Sequence, residues 1–271
     1  MTDPQPIDLH YEASGDGPPL VLLHGLYGSG NNWRSYARRW AADYRVLLPD
    51  LRNHGRSPRD PRMDYPAMAA DIERLLEREG AEEATLLGHS MGGKVAMALA
   101  LTRPARLRAL VVADIAPVAY GGDEHAGIIA AMQAVDLAGI RSRRDADAEL
   151  AEQIETPAVR QFLLTNLEQE DGSWRWRLPL EILAESLPAI QGWPGIDGHW
   201  EGPTLFVHGG RSPYVDAAGR EAISRLFPRA EVETISNSGH WLHVEAPKAF
   251  TESENGFFAG SLDVNGNSFY K

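Results

Sequence analysis

The segment "ATLLGHSMGGKVAMA", residues 84–98, holds the side chain best placed for chemistry. Gly88-His89-Ser90-Met91-Gly92 fits G-x-S-x-G between a strand-like apolar run and a helical stretch. A serine hydroxyl is a weak nucleophile until a neighbouring base takes its proton as it attacks a carbonyl carbon. A tight strand-to-helix turn pushes that hydroxyl out at the carboxyl end of a sheet, so its neighbours must be small. Gly88, Gly92 and Gly93 supply the room, and the N–H groups that open the helix aim at the site. Ser90 is therefore the candidate nucleophile for acyl transfer. The rest of the chain must bring it a histidine, an acid and two N–H donors.

The elements that would position it alternate. "PPLVLLHG" (18–25), "RVLLPDLR" (45–52), "ATLLG" (84–88) and "LRALVVADIAP" (107–117) are compact apolar runs that read as buried strands. Between them lie helical patterns in "NNWRSYARRWAADY" (31–44), with Asn31 or Asn32 as N-cap, and "YPAMAADIERLLEREG" (65–80). Near-continuous hydrophobic strands separated by helices predict a mostly parallel sheet covered on both faces. The alternating "IDLHYEAS" is expected as an antiparallel edge. Residues 118–201 break the rhythm: helical stretches, two capped by Ser142 and Thr156, and no convincing buried strand. "WRWRL" (174–178) reads as a hairpin arm or the start of a helix. The rhythm resumes with "GPTLFVHGG" (202–210), "DAAGREAISRLFP" (216–228) and "AEVETIS" (230–236). One α/β core, residues 1–117 and 202–260, is thus expected around a helical cap insertion, 118–201. A closing helix is expected from Ala246, with disorder over 261–271, where glycine and asparagine interrupt the pattern.

Composition narrows the classes. With 43% hydrophobic residues in 271 positions, a sizeable core can form. Net charge is -12 and only three lysines occur (Lys94, Lys248, Lys271), with no basic block, so no nucleic-acid partner is expected. The absence of cysteine excludes disulfides, thiolate metal sites and a cysteine nucleophile. No His/Asp/Glu set has metal-ligand spacing on one helix, so no metal is expected. No apolar run approaches the ~18 residues of a membrane span, and membrane insertion is not expected. "MTDPQPIDLHYEASGDG" lacks signal-peptide features, which makes a cytoplasmic location the expectation.

Over about residues 7–260 the chain resembles the α/β-hydrolase superfamily. The resemblance rests on "LLHGLYGSGNNW" (22–33), on D-x-R-x-x-G-x-S beginning at Asp50, and on the Ser90 turn. With "GHSMGGKVAMALAL" and "VVADIAPVAY", residues 20–120 and 203–247 are similar to the small YbfF-type serine esterases. This implies the α/β-hydrolase fold with modest lid helices, no cofactor, and cleavage of a small acyl ester or thioester. It also implies that the N–H groups of Leu26 and Met91 form an oxyanion hole. Two donors are needed because charge develops on the carbonyl oxygen in the transition state, and losing one costs about 3 kcal/mol.

Nine histidines compete to be the base. His10 lies on the edge segment, and His125 and His199 lie in the insertion. His24, His54 and His89 suit loop shaping, His208 ends a strand, and His243 supports the following helix. The superfamily carries its base in the loop after the last strand, where His240 stands in "ISNSGHWLHVEAP". The acid has two candidates. Many relatives place it as G-x-x-D after the strand written here "TLFVHGG", yet this chain has Ser212 at that point. Asp216 is close by but opens a helix as a good N-cap. Asp114 ends the strand after the nucleophile helix, where a charge in so apolar a run needs a partner. YbfF-type esterases resemble the chain at "DIAPV" and hold the acid there, so Asp114 is favoured over Asp216.

The expected chemistry is ester or thioester hydrolysis by Ser90, His240 and Asp114 through an acyl-enzyme. A cofactor-free perhydrolase or C–C hydrolase would use the same triad, and a ligand-binding receptor of this fold is the non-enzymatic alternative. Ile128, Ile129, Met132, Phe162 and Leu163 of the insertion are expected to line an acyl channel or to pack the cap.

Overall fold

The computed structural model describes residues 5–261. Its centre is a seven-stranded sheet: β1 (Tyr11–Ser14), β2 (Pro19–Leu23), β3 (Arg45–Pro49), β4 (Ala84–His89), β5 (Leu107–Ala113), β8 (Thr204–Gly209) and β9 (Ala230–Ile235). The spatial order is β1-β3-β2-β4-β5-β8-β9, with β1 antiparallel to β3 and every other pair parallel. The alternating first segment is indeed the antiparallel edge.

Away from the edge strands β1 and β9 both faces of the sheet are buried, and alternate residues of each strand divide between them. Val21, Leu47, Leu86, Leu110 and Phe206 join one core with α2 (Tyr65–Arg78), α3 (Met91–Thr102) and α8 (Ala217–Leu226). Leu20, Leu22, Val46, Leu87 and Val207 join the other with α1 (Arg34–Trp40) and α10 (Pro247–Ser261). The chain steps from β2 outward to β3 and then returns to β4 on the opposite side of β2. Between the carboxyl ends of β2 and β4 lies the crevice where such sheets bind ligands. Ser90 directly follows β4, and Leu26 lies just beyond β2.

Between β5 and β8 the chain forms α4 (Glu124–Ala134), α5 (Arg143–Leu150), α6 (Pro157–Leu164), the hairpin β6 (Leu167–Glu170) and β7 (Ser173–Trp176), and α7 (Leu180–Gln191). Of the two readings of "WRWRL", the structure has the hairpin arm: β7 pairs antiparallel with β6. Only Leu167 and Trp176 of it are buried, so no apolar run announces it. Asp171 and Gly172 turn it, both at positive φ (49° and 83°), the geometry of a two-residue hairpin loop. Trp176 anchors it by donating from Nε1 to the Met132 carbonyl at 2.8 Å.

Two further expectations change. Neither Asn31 nor Asn32 caps α1; a 3-10 turn, Gly30–Trp33, comes first, and Asn32 Oδ1 accepts from the Ser29 N–H at 2.8 Å. The closing helix α10 runs through Asn255-Gly256, because Phe250, Phe257 and Phe258 bury against the sheet and Asn255 Oδ1 accepts from Trp40 Nε1. Ser261 ends this helix, and the rest of the expected tail, 262–271, lies outside the described residues. Among the described residues no helix is long and apolar enough to cross a membrane. A short helix, α9 (Leu242–Glu245), precedes α10.

Candidate active site

Ser90 sits at φ 52° and ψ -119°, a conformation side chains rarely adopt and one that stores strain where a scaffold enforces it. Close packing enforces it here. A Cβ on Gly88 would lie 2.3 Å from the Gly92 carbonyl oxygen, and one on Gly92 would lie 2.6 Å from the carbonyl oxygens of Leu23 and His24. The Ser90 N–H donates to the Ala113 carbonyl at 3.0 Å, which ties the turn to the end of β5.

The next residue, Asp114, is also at positive φ (54°) and is fully buried. Its carboxylate accepts from the Gly209 N–H at 2.8 Å, from the Ser212 hydroxyl, and from His240 Nδ1 at 2.7 Å. Asp216 does not meet His240: it caps α8, accepting from the Gly219 N–H at 2.8 Å. Ser212, which stands where many relatives carry the acid, turns its hydroxyl onto Asp114 instead. The serine at that position thus becomes a hydrogen-bond donor to the carboxylate that directly follows β5.

The loop after β9 carries His240. His89 donates from Nε2 to the His240 carbonyl at 2.8 Å, and the two rings lie 4.7 Å apart. The Tyr214 ring stacks on His240 with centroids 4.3 Å apart. Glu245 accepts from the N–H groups of Gly239 and Trp241, holding the loop from below. With Nδ1–H given to a carboxylate, Nε2 is left as the proton acceptor. Among the described residues Ser90 Oγ makes no hydrogen bond to His240; in unliganded sites this bond often tightens only when substrate arrives.

The loop after β2 is set by two buried, neutral histidines. His24 donates from Nδ1 to the Gly25 carbonyl and accepts at Nε2 from the Leu51 N–H at 3.0 Å. His54 donates to the Arg52 carbonyl and accepts from the Tyr27 N–H at 3.1 Å, holding Tyr27 at φ 65°. Burial pulls their pKa values down to about 4 and about 3. A Cβ on Gly25 would lie 3.4 Å from Ser90 Cβ, so this loop abuts the turn. Among the described residues the Leu26 N–H makes no hydrogen bond. Met91 heads α3, where the first N–H groups have no acceptor within the helix.

A cavity of about 300 Å³ opens over the turn, lined by Ser90, Leu26, Met91, Ile115, Lys94 and Tyr120 among others. The wall contributed by the segment between β5 and β8 includes His125, Ile190 and Gln191. Of the two roles expected for Ile128, Ile129, Met132 and Leu163, the structure shows packing: all four are buried, and the Phe162 ring lies 5.6 Å from the Trp241 ring. Sequence reasoning passed over Lys94, Tyr214, His125 and the donor role of Ser212. The first had a signal: a lysine four residues after Ser90, on the same helix face, in an otherwise apolar stretch.

The fold and this strand–turn–helix site define the class. A family model described as alpha/beta hydrolase fold matches residues 18–247, and the chain belongs to that family. Among curated relatives, the mouse (Mus musculus) sn-1-specific diacylglycerol lipase ABHD11 is 42% identical over 267 residues, spanning 95% of this chain and 87% of the relative. Esterase YbfF of Escherichia coli strain K12 is 42% identical over 231 residues, spanning 85% and 89%. A solved marine microorganism esterase superposes with a TM-score of 0.90 at 37% identity, covering 93% of this chain and 99% of its own.

Proposed function

We propose that this chain is a carboxylic ester hydrolase in which Ser90 is the nucleophile, His240 the general base and Asp114 the acid that orients it. The observation that carries the reading is the 2.7 Å bond from His240 Nδ1 to the buried Asp114 carboxylate, beside the strained serine turn. It is further supported by esterase and lipase relatives that match nearly the full chain. His240 Nε2 takes the Ser90 proton as Oγ bonds to the ester carbonyl carbon, and the oxyanion is held by the N–H groups of Leu26 and Met91. The proton passes to the departing alkoxide, leaving an acyl-enzyme. Water, deprotonated by His240, then adds to the acyl carbon and Ser90 leaves with the proton, releasing the carboxylic acid. A thioester would follow the same steps. The segment between β5 and β8 acts as a cap over the cavity. A glycerolipid ester of the kind named for the mouse relative is one substrate to try.

The test is hydrolysis of p-nitrophenyl esters from acetate to palmitate. Wild type should turn over the short chains, and Ser90→Ala should lose activity by about 10⁴-fold or more. Equal activity in wild type and Ser90→Ala would overturn the assignment.

A further inference from the structure

Lys94 takes no part in the triad, yet it lies one turn beyond Ser90 on α3 and lines the same cavity. Residues four apart share a helix face, about 6 Å along the axis. Lys94 is 1% exposed, so its ammonium faces the cavity or the protein and not bulk water. Nζ donates to the carbonyls of Gln191 (3.1 Å) and Gly192 (2.7 Å) at the end of α7, and it sits over the Tyr120 and Tyr65 rings at 4.6 and 5.5 Å. An ammonium has three hydrogens, and the third has no acceptor among the described residues. No carboxylate of the described residues pairs with it. Glu124, the acidic residue of the cavity lining, is exposed at the start of α4, and burial is what draws the Lys94 pKa down to about 7.

A buried cation without a counter-charge is costly, and an apolar side chain of the same length would fill the space without that cost. Carbonyl oxygens and ring faces offset part of it. The cavity that Ser90 and Lys94 both line also has the apolar side chains of Leu26, Met91 and Ile115 in its wall, which suit a few methylene groups. We propose that Lys94 is an anion-binding subsite that selects acyl groups ending in a carboxylate a few carbons from the scissile carbonyl. This rests on the reading of Ser90 as nucleophile. The cavity volume lies at the small end for ligand pockets, which favours a short dicarboxylic half-ester over a long acyl chain.

The test compares monoethyl glutarate with its uncharged primary amide, a near-isosteric pair, by ethanol release from the full chain. Wild type should favour the anion by about 10–100-fold in kcat/KM, carried mainly by KM, and Lys94→Met should abolish that preference. Equal kcat/KM in wild type, or a preference that survives in Lys94→Met, overturns the proposal. Should Lys94→Met fail to fold, inhibition of wild type decides: glutarate should inhibit p-nitrophenyl butyrate hydrolysis at least about tenfold better than glutaramide, and equal inhibition overturns the proposal. Ser90-dependent turnover of p-nitrophenyl butyrate separates the two ideas. Its absence sinks the esterase reading itself, whereas turnover without charge preference sinks only the Lys94 subsite.

Discussion

Three donors converge on one carboxylate at Asp114: a backbone N–H, a serine hydroxyl and the Nδ1–H of His240. Such an environment aims the carboxylate at the imidazole, which is what the proposed triad asks of its third member. Asp114→Asn keeps the side-chain volume but offers His240 the wrong partner. The expected outcome is a kcat lower by about 10⁴-fold with unchanged circular dichroism. Asp216→Asn should leave kcat within about twofold, because Asp216 caps α8 and asparagine caps about as well. A large loss of kcat at Asp216 with a mild one at Asp114 would reverse the roles assigned to them.

At the scale of elements, α10 carries a cost inside its apolar face. Glu254 is fully buried, and among the described residues neither of its carboxylate oxygens has a hydrogen-bond partner. Burial, the largest cause, with Glu233 adding to it, pushes its pKa well above the ordinary carboxylate value. The folded state therefore holds a proton that the unfolded state releases as pH passes 4.5, and stability falls as pH rises through that window. Glu254→Met should stabilise the protein by about 1–3 kcal/mol, and more at pH 8 than at pH 5. Urea denaturation at the two pH values checks both the sign and the difference. The turn between β4 and α3 shows the opposite arrangement, in which a strained serine is held in place by contacts that only glycine permits.

Across the whole molecule, four histidines lie buried in or beside the crevice: His24, His54, His89 and His243. Burial is the first cause of a lowered pKa in each, to about 4 for His24 and His243 and about 3 for His54. Their unfolded forms take up protons near pH 6.5 while the folded forms do not, so acid draws the equilibrium toward unfolding. The contribution of these histidines to stability should be level above pH 7 and fall from about pH 6.5 toward pH 4. Each fully uncoupled histidine contributes about 1.4 kcal/mol per pH unit. A urea midpoint that stays constant between pH 7 and pH 5 would contradict this. The loops these histidines shape are those that present Leu26 and hold His240, so activity and fold should fail over the same acid range.

What could be read along the chain is what neighbouring residues decide together. The alternation of apolar strands and helical stretches is local, and so are the glycines that force Ser90 into its turn; both followed from composition and spacing. The Asp171-Gly172 hairpin signal was equally local but stood in a polar stretch where burial said nothing. The resemblance extended the reading to His240, Leu26 and Met91, and it favoured Asp114 over Asp216. Only the tertiary structure shows the pairing of Asp114 with His240, because it spans 126 positions. It depends on β5 lying between β4 and β8, a neighbourhood set by the sheet order. The same holds for Lys94, whose carbonyl partners stand 97 and 98 positions away at the end of α7. Periodicity records which side of a strand or helix is dry, whereas the contact between two distant polar groups is fixed only when the whole chain has packed.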